Sequence, residues 1–218
     1  MSPPRPPDSE AEGAGEDGGN GRQPSSEAIQ QAAFDLFARR GYVAASVREV
    51  MKACGLTQGA LYNHFPSKNQ LLATLIQTTQ DGLEAECGAA IQAAGDAPSA
   101  QLRAFVQAFT WRHCERRTEA LVANRDFGWL KPSNLHDIVA SRRRIRDMLV
   151  QILERGERAG AFRLPRVRDR CDARIVAMAI LNQCIYVSNW FKPDGTWPQE
   201  AVAALHAEMA LRIVGAAG

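Results

Sequence analysis

The sequence is short of the features that mark several classes of protein. No apolar run approaches the ~18 residues of a transmembrane helix, and the N-terminal MSPPRPPDSE has no apolar signal-peptide core. The five cysteines, at positions 54, 87, 114, 171 and 184, are odd in number and far apart, which argues against a disulfide framework or a cysteine-rich zinc site. We therefore expect free thiols and a cytoplasmic location.

Catalytic and metal-binding motifs are also missing from the sequence. There is no glycine-rich phosphate loop after a strand, and no helix carries histidine and glutamate at metal-ligand spacing. His113, Cys114 and Glu115 are adjacent in the chain, so their side chains would point in different directions on a helix. We expect neither an enzyme nor a bound metal or cofactor.

The small net charge of +2 is unevenly distributed along the chain. Residues 1–21 carry Arg5 against five acidic side chains, a net charge of −4, which leaves +6 for the rest. No large aliphatic side chain occurs between Met1 and Ile29, a stretch rich in proline and glycine. Residues 1–24 are therefore predicted to be a disordered acidic tail, and the basic remainder tolerates a polyanionic partner.

The next segment has the periodicity of three short helices. Ser26 to Arg40 carries apolar residues at helical spacing, and Gly41 is placed to end that helix. Ser46 and Glu49 form a capping-box sequence that starts a second helix. A third helix is predicted over residues 57–64, after a tight glycine-containing turn, so the segment has the form of a helix-turn-helix unit.

The predicted third helix has the composition of a surface that reads DNA. Its small residues permit close approach to a groove, and its glutamine and asparagine can hydrogen-bond adenine edges. An inert packing module is the alternative interpretation. Ser67 and Gln70 then form a second capping-box sequence. Lys68, beside that helix N-terminus, makes a phosphate site.

The rest of the chain is predicted to be helical. The helices are expected at 68–94, 98–116, 119–128, 133–159, 169–191 and 198–215. No two-residue alternation is present, so the fold class is all-α with about nine helices. The helices 169–191 and 198–215 are apolar on most faces, which predicts cover by a partner chain as well as by their own core. A helix simply central to its own domain is the alternative for 169–191.

Aromatic and long aliphatic side chains beyond residue 100 are candidates for a pocket between helices, although the same residue types fill any helical core. Asn182 is more informative, because a polar side chain on an apolar helix needs a partner. The candidate pocket residues are Phe105, Phe109, Phe127, Trp129, Met148, Ile152, Met178, Asn182 and Tyr186. The arginine-rich run 142–146 is either a solvated helix face or an anion-receiving rim at the pocket mouth.

The run 32–72, AAFDLFARRGYVAASVREVMKACGLTQGALYNHFPSKNQLL, resembles the DNA-binding domain of the TetR family of bacterial transcriptional regulators. The resemblance implies that Gln58, Gly59, Ala60 and Tyr62 face base edges in the major groove. It implies that Thr57, Asn63, His64 and Lys68 hold phosphates, and that Arg48 reaches the flanking backbone or a base. Asn63 departs from the family pattern, which often has an aromatic residue there.

This resemblance also implies that the chain has two domains with different functions. Residues 25–70 would form the DNA-binding domain and residues 71–218 a ligand-sensing and dimerisation domain. The helices 169–191 and 198–215 would pair with their symmetry mates in a four-helix bundle. We expect a repressor that a small hydrophobic effector releases from a palindromic operator. The alternative is a helical protein-interaction adaptor that does not bind DNA.

A shorter resemblance bears on the effector. Gly156, residues 160–163 (GAFR) and residues 189–195 (NWFKPDG) are similar to TetR-family members that regulate fatty-acid or sterol catabolism. Several of those respond to acyl-CoA thioesters. An apolar pocket with a cationic mouth would suit such a molecule, so an acyl-CoA is the effector that we expect.

Overall fold

The computed structural model describes residues 26–55 and 65–216. These residues form eight α-helices and two short 3-10 helices, and they contain no strand, so the predicted all-α class is confirmed. The α-helices are α1 Ser26–Ala44, α2 Val47–Ala53, α3 Lys68–Ala93, α4 Pro98–Glu115, α5 Arg117–Arg125, α6 His136–Arg158, α7 Ala173–Trp190 and α8 Gln199–Ile213. Within the described ranges no helix is both long and apolar enough to cross a membrane. The predicted tail, 1–24, and the predicted third helix, 57–64, lie outside these ranges.

The start of α2 follows the predicted capping box. The Ser46 hydroxyl accepts a hydrogen bond from the Glu49 backbone N–H at 3.2 Å, and the Glu49 carboxylate accepts one from the Ser46 backbone N–H at 2.9 Å. At the other end, Gly55 has a φ of +69°, which lets the chain leave the helix. Gly41 has a φ of +78°, but a further turn ending at Ala44 extends α1 beyond the predicted end at Arg40.

The second predicted capping box is only half formed. The Ser67 hydroxyl accepts a hydrogen bond from the Gln70 backbone N–H at 3.1 Å, as an N-cap should. The return bond from the Gln70 side chain to the Ser67 backbone is not made.

Two helix boundaries differ from the prediction for local reasons. The predicted helix 169–191 begins only at Ala173, because Asp172 is its N-cap and accepts from the Arg174 backbone N–H at 2.8 Å. The predicted helices 119–128 and 133–159 are shortened by 3-10 turns at Phe127–Trp129 and Pro132–Asn134. Pro132 cannot continue an α-helix that begins before it, so the chain changes direction between α5 and α6.

Two hydrophobic cores lie along the length of α3. The first joins α1, α2 and the first turns of α3, down to Ile76, with Val122 and Ala123 of α5. The second joins the later turns of α3 to α4, α6, α7 and α8. Helix α3 therefore connects the N-terminal helices to the C-terminal bundle.

The last two helices pack on α4 and scarcely on each other. Their outward faces leave large apolar side chains exposed, including Ile175, Tyr186 and Trp190 on α7 and Leu205 on α8. The bundle therefore presents one apolar surface built from α7 and α8, which we call the α7/α8 face.

Candidate DNA-binding surface and effector cavity

Two of the predicted DNA contacts lie in the described residues. Arg48 is exposed in the first turn of α2. Its neighbour Glu49 is held by Ser46 and Arg40, and those hydrogen bonds lower the pKa of the Glu49 carboxyl, with the Arg40 charge acting in the same direction. Within the described ranges Arg48 has no ion-pair partner, so its guanidinium faces solvent and is available to an anion.

Lys68 is the first residue of α3, beside the Ser67 cap. Its ammonium donates to the Val43 carbonyl at 3.3 Å and lies 4.3 Å from the centre of the Tyr42 ring. Partial burial lowers the pKa of Lys68, while the carboxylates of Asp126 and Glu49 act in the opposite direction. An ammonium has three donors, so Lys68 keeps two for a phosphate oxygen while it remains fixed to α1.

The other predicted DNA contacts lie outside the described residues. They are Thr57, Gln58, Gly59, Ala60, Tyr62, Asn63 and His64. On either side of them, Gly55 ends the α2 turn and Phe65 is buried in the first core. The roles of the seven residues stay predictions.

Asn69 connects the N-terminal helices to the loop between α5 and α6. Its side chain is 6% exposed and makes four hydrogen bonds. The amide NH₂ donates to the Tyr42 hydroxyl at 3.2 Å and to the Trp129 carbonyl at 2.8 Å. The amide oxygen accepts from the Lys131 backbone N–H at 3.1 Å and from the Asn134 side chain at 2.9 Å. Every donor and acceptor of this buried amide is therefore used.

A cavity of about 380 Å³ opens between α3, α4, α6 and α7, with the end of α5 as a further wall. Four of the nine predicted pocket residues line it: Phe109, Phe127, Met178 and Asn182. Apolar side chains such as Leu83, Ile145 and Leu181 complete most of the lining. The size is within the range of small-molecule sites.

The structure does not bring the other five predicted pocket residues to this cavity. Phe105 and Ile152 are fully packed inside the second core, and Met148 packs against the edge of that core. Trp129 is exposed on the 3-10 turn after α5, and Tyr186 belongs to the α7/α8 face. All five are apolar or aromatic residues, and the sequence pattern does not distinguish them from the four that line the cavity. Tertiary packing decides which of these side chains face the cavity.

The arginine side chains of the run 142–146 point to different sides of α6. Arg142, Arg143 and Arg146 line the cavity, whereas Arg144 turns away and forms a two-bonded pair with Glu84 at 2.6 and 2.8 Å. The run is thus neither wholly a solvated face nor wholly a rim. Arg142 and Arg143 supply positive charge at the cavity, whereas the third lining cation, Arg146, is paired with Asp147 at 2.6 Å.

Arg142 is the most tightly held of these cations. Its guanidinium donates to the Ala123 carbonyl of α5 at 2.8 Å and lies 3.9 Å from the centre of the Phe127 ring. Burial lowers the pKa of Arg142, yet a guanidinium remains charged in proteins. This cation is therefore fixed against α5 by two contacts, while Arg143 is exposed at the mouth.

Polar residues that the sequence analysis did not select lie at the buried end of the cavity. Gln80 of α3 and His113 of α4 line it, and their residues are 5% and 4% exposed. The sequence held a signal for Gln80, because it occupies a position of the apolar stripe that includes Leu72, Ile76 and Leu83. A buried polar residue in such a stripe needs a partner.

His113 is neutral in this setting. Its Nδ1 is 2.8 Å from the Phe109 carbonyl, which can only accept, so Nδ1 carries the proton. The ring also stacks on the Phe109 ring, with centres 4.5 Å apart. Burial lowers the pKa of His113 to about 4. At neutral pH the other ring nitrogen, Nε2, is therefore a hydrogen-bond acceptor.

Helix α5 joins the cavity to α1. Asn124 and Phe127 line the cavity, and between them Arg125 donates to the Phe37 carbonyl at 2.6 Å and to the Ala38 carbonyl at 3.2 Å. Asp126 holds the same guanidinium at 2.7 and 3.0 Å, and these hydrogen bonds raise the pKa of Arg125. Arg125 therefore links the segment that lines the cavity to the backbone of α1.

Two family models match the chain. Residues 29–75 match the bacterial regulatory proteins of the tetR family, and residues 95–214 match the tetracyclin repressor-like C-terminal domain. Among curated relatives, the transcriptional repressor KstR2 of Rhodococcus jostii RHA1 is 27% identical over 188 residues, which cover 82% of this chain and 85% of KstR2.

Solved structures agree with these matches. A tetR-family regulatory protein from Rhodococcus RHA1 is 30% identical, with a TM-score of 0.79 over 89% of this chain and all of that chain. AibR, solved with isovaleryl coenzyme A and operator DNA, is 24% identical, with a TM-score of 0.74 over 88% of this chain and 98% of its own. Since a family model covers more than half of the residues, the chain belongs to the TetR family of bacterial transcriptional regulators.

Proposed function

We propose that this regulator is a homodimeric repressor, released from its operator by an anionic amphiphile that enters the 380 Å³ cavity. An acyl-CoA thioester is the effector that fits best. The observation that carries the proposal is an apolar cavity that has arginines of α6 in its lining and lies beside α5, which Arg125 ties to α1.

The DNA-binding half rests on the family and on the positions of Arg48 and Lys68. Both are cationic residues near helix N-termini, where free N–H groups and the helix dipole also favour phosphate. Residues 57–64 would lie between them in the major groove. In a two-fold dimer, two such units read half-sites about 34–36 Å apart, so a palindromic operator follows.

The α7/α8 face supports the dimer. Four large apolar side chains of this face are exposed to solvent, namely Ile175, Tyr186, Trp190 and Leu205. A group of exposed apolar residues marks an interaction surface more often than a single one does. Burying them against a second copy removes this surface from water, and the two-fold axis then fixes the distance between the two DNA-binding units.

The effector chemistry follows from the cavity lining. A cavity of about 380 Å³ lies at the small end of the ~300–1,000 Å³ range of ligand sites. That is enough for a medium acyl chain and too little for a coenzyme A nucleotide. The nucleotide would stay at the mouth, where Arg143 is exposed and guanidinium groups bind phosphates well. The fold that this chain shares with AibR, solved with isovaleryl coenzyme A and operator DNA, is consistent with this chemistry.

None of the residues that form the short C-terminal resemblance lines the cavity, and some of them are explained by packing. A Cβ atom on Gly156 would lie 1.9 Å from the Phe162 ring, so the glycine lets Phe162 pack on α6. Gly160, with a φ of +71°, ends that helix. This resemblance therefore supports a shared fold of the bundle, and the acyl-CoA proposal depends on the arginines.

Release would work through α5. An effector that fills the space beside Asn124 and Phe127 and draws Arg142 toward its anionic group pulls on the Ala123 carbonyl. Arg125 transmits this movement to the Phe37 and Ala38 carbonyls and so to the orientation of α1. A repressor of this kind has no catalytic step, and it acts in the cytoplasm, where the chromosome is.

The test is a titration of acyl-CoAs into a protein–DNA complex. A duplex selected by the purified protein from random-sequence DNA is labelled, and fluorescence anisotropy follows its release by butanoyl-, decanoyl- and octadecanoyl-CoA. We expect release by at least one chain length and none by coenzyme A alone. Selection of no duplex at low salt would favour the protein-interaction adaptor, and absence of release by every acyl-CoA would remove the effector class.

A matched pair of variants tests the arginine rim. Arg143→Ala removes a cation from the cavity, whereas Arg144→Ala removes its sequence neighbour, which does not line the cavity and pairs with Glu84. We expect about tenfold weaker acyl-CoA binding for the first variant and little change for the second. Equal effects would show that the arginines act only through general charge.

A further inference from the structure

The buried end of the cavity is polar, and its polar groups lack partners. The Gln80 amide makes no side-chain hydrogen bond within the described part of the chain, although the residue is 5% exposed. His113 uses Nδ1 for the Phe109 carbonyl and keeps Nε2 free of protein partners among the same residues. An amide and an imidazole nitrogen without protein partners among these residues thus line the same cavity, and both also line the small recess next to it.

The exposure of the lining residues indicates which of them lie at the mouth of the cavity and which lie at its buried end. Arg143, Met178 and Asn182 are exposed members of the lining, whereas Gln80 and His113 are almost completely buried. Behind Gln80 and His113 lies a recess of only about 10 Å³, which they also line. That volume is at the lower limit for one water molecule. The two polar groups are therefore best satisfied from the main cavity.

We propose that the effector carries a hydroxyl group at the far end of its apolar body, held between Gln80 and His113. The inference rests on the proposed function, because it concerns the same cavity and the same ligand. It adds a second polar end to the ligand, opposite the anionic group at the arginines.

Hydrogen-bond chemistry selects a hydroxyl over other polar groups. Neutral Nε2 of His113 can only accept, so the ligand must donate to it. The NH₂ of Gln80 donates, so the same ligand atom should accept as well. A hydroxyl does both at one oxygen, whereas a ketone oxygen would satisfy Gln80 and leave His113 without a partner. A methyl group would leave both unsatisfied, which is costly in a buried site.

The experiment compares two pairs of probes that differ by one hydroxyl. Calorimetry measures the binding of decanoyl-CoA and 10-hydroxydecanoyl-CoA, and of decanoate and 10-hydroxydecanoate, to the full chain without DNA. We expect the hydroxylated member of a pair to bind at least tenfold more tightly, because a site built to hydrogen-bond a hydroxyl rejects the analogue without it. Equal binding within both pairs overturns the inference, as does absence of binding by all four probes.

The two pairs separate this inference from the proposed effector class. Discrimination in the fatty-acid pair together with no binding of either CoA probe would support the hydroxyl and overturn the acyl-CoA. Binding of both CoA probes with equal affinity, and no discrimination between the acids, would support the acyl-CoA and overturn the hydroxyl.

Variants locate the effect. Gln80→Leu should reduce the preference for the hydroxylated probe to less than threefold, while the same change at Gln92, exposed on the same helix and outside the cavity, should keep it. Because the Gln80 amide is unpartnered, the ligand-free Gln80→Leu protein should melt no lower than wild type. A clearly lowered melting temperature would mean that the amide has an internal partner and would overturn the inference. Gln80→Met gives a second, more flexible apolar replacement, and a full preference retained in both variants would also overturn it.

Discussion

The network around Asn69 makes a quantitative prediction about how the two ends of the molecule are joined. Asn69→Leu keeps the number and branching of the side-chain heavy atoms and removes all four hydrogen bonds. The Trp129 carbonyl and the Lys131 backbone N–H then lose their Asn69 partner, in hydrogen bonds that are partly buried although the two residues are exposed. The Tyr42 hydroxyl and the Asn134 amide are only half-buried and can turn to water.

The magnitude follows from the four lost hydrogen bonds. Each is part-buried and contributes about 0.5–1 kcal/mol, the lower part of the usual range, so the free energy of unfolding should fall by about 2–4 kcal/mol. For a chain of this size about 2–4 °C accompanies each kcal/mol, which gives a drop in melting temperature of roughly 5–15 °C. Urea unfolding and thermal melts measure both quantities, at one protein concentration because association contributes to stability.

Asn134→Ala is the matched control, since it deletes one of the four hydrogen bonds and leaves the backbone groups satisfied. Its cost should stay near the 0.5–1.5 kcal/mol, roughly, of a single hydrogen bond. A loss below about 1 kcal/mol for Asn69→Leu, or equal losses for the two variants, would refute the view that this amide joins the N-terminal helices to the bundle.

Three further predictions concern single residues. The pKa of His113 is lowered from 6.5 to about 4, so as pH falls through that range the unfolded chain binds a proton that the folded chain cannot. The free energy of unfolding should therefore fall by up to about 3 kcal/mol. In urea titrations between pH 7 and 4.5, His113→Phe should show a smaller fall than the wild type. Ser46→Ala removes the N-cap of α2 and should cost about 0.5–2 kcal/mol of unfolding free energy, whereas Ser133→Ala, in the 3-10 turn before α6 with no side-chain cap, should cost little. Lys68→Ala should weaken binding to every DNA sequence and reduce the slope of log affinity against log salt by about one, while an unchanged slope would mean that Lys68 serves only Val43 and Tyr42.

Local signals predicted the N-terminal part of the fold well. The Ser46 capping box and the positive φ values of Gly41 and Gly55 depend on neighbours within a few residues, so the sequence pattern contained them. The predicted start of α7 was wrong by four residues. The turn that precedes the helix contains Arg168 and Asp169, both with positive φ, and no glycine there indicates a turn in the sequence.

The cavity was harder to predict, because an aromatic side chain that lines a cavity and one that fills a core have the same periodicity. Phe105 and Phe109 are one turn apart on α4, and only the second lines the cavity. Helical geometry would have divided the arginines, since at about 100° per residue Arg144 lies opposite Arg142 and Arg146. Gln80 was detectable as a polar residue in an apolar stripe, whereas its distance from any partner required the tertiary structure.

The most direct test of the account is thermodynamic reciprocity between effector and DNA. The affinity for the selected duplex is measured with and without saturating decanoyl-CoA, and the affinity for decanoyl-CoA is measured with and without the duplex. We expect each ligand to weaken the binding of the other by the same factor, of roughly tenfold or more, and Arg125→Met to reduce both factors together. Simultaneous binding of both ligands with unchanged affinities would contradict this expectation.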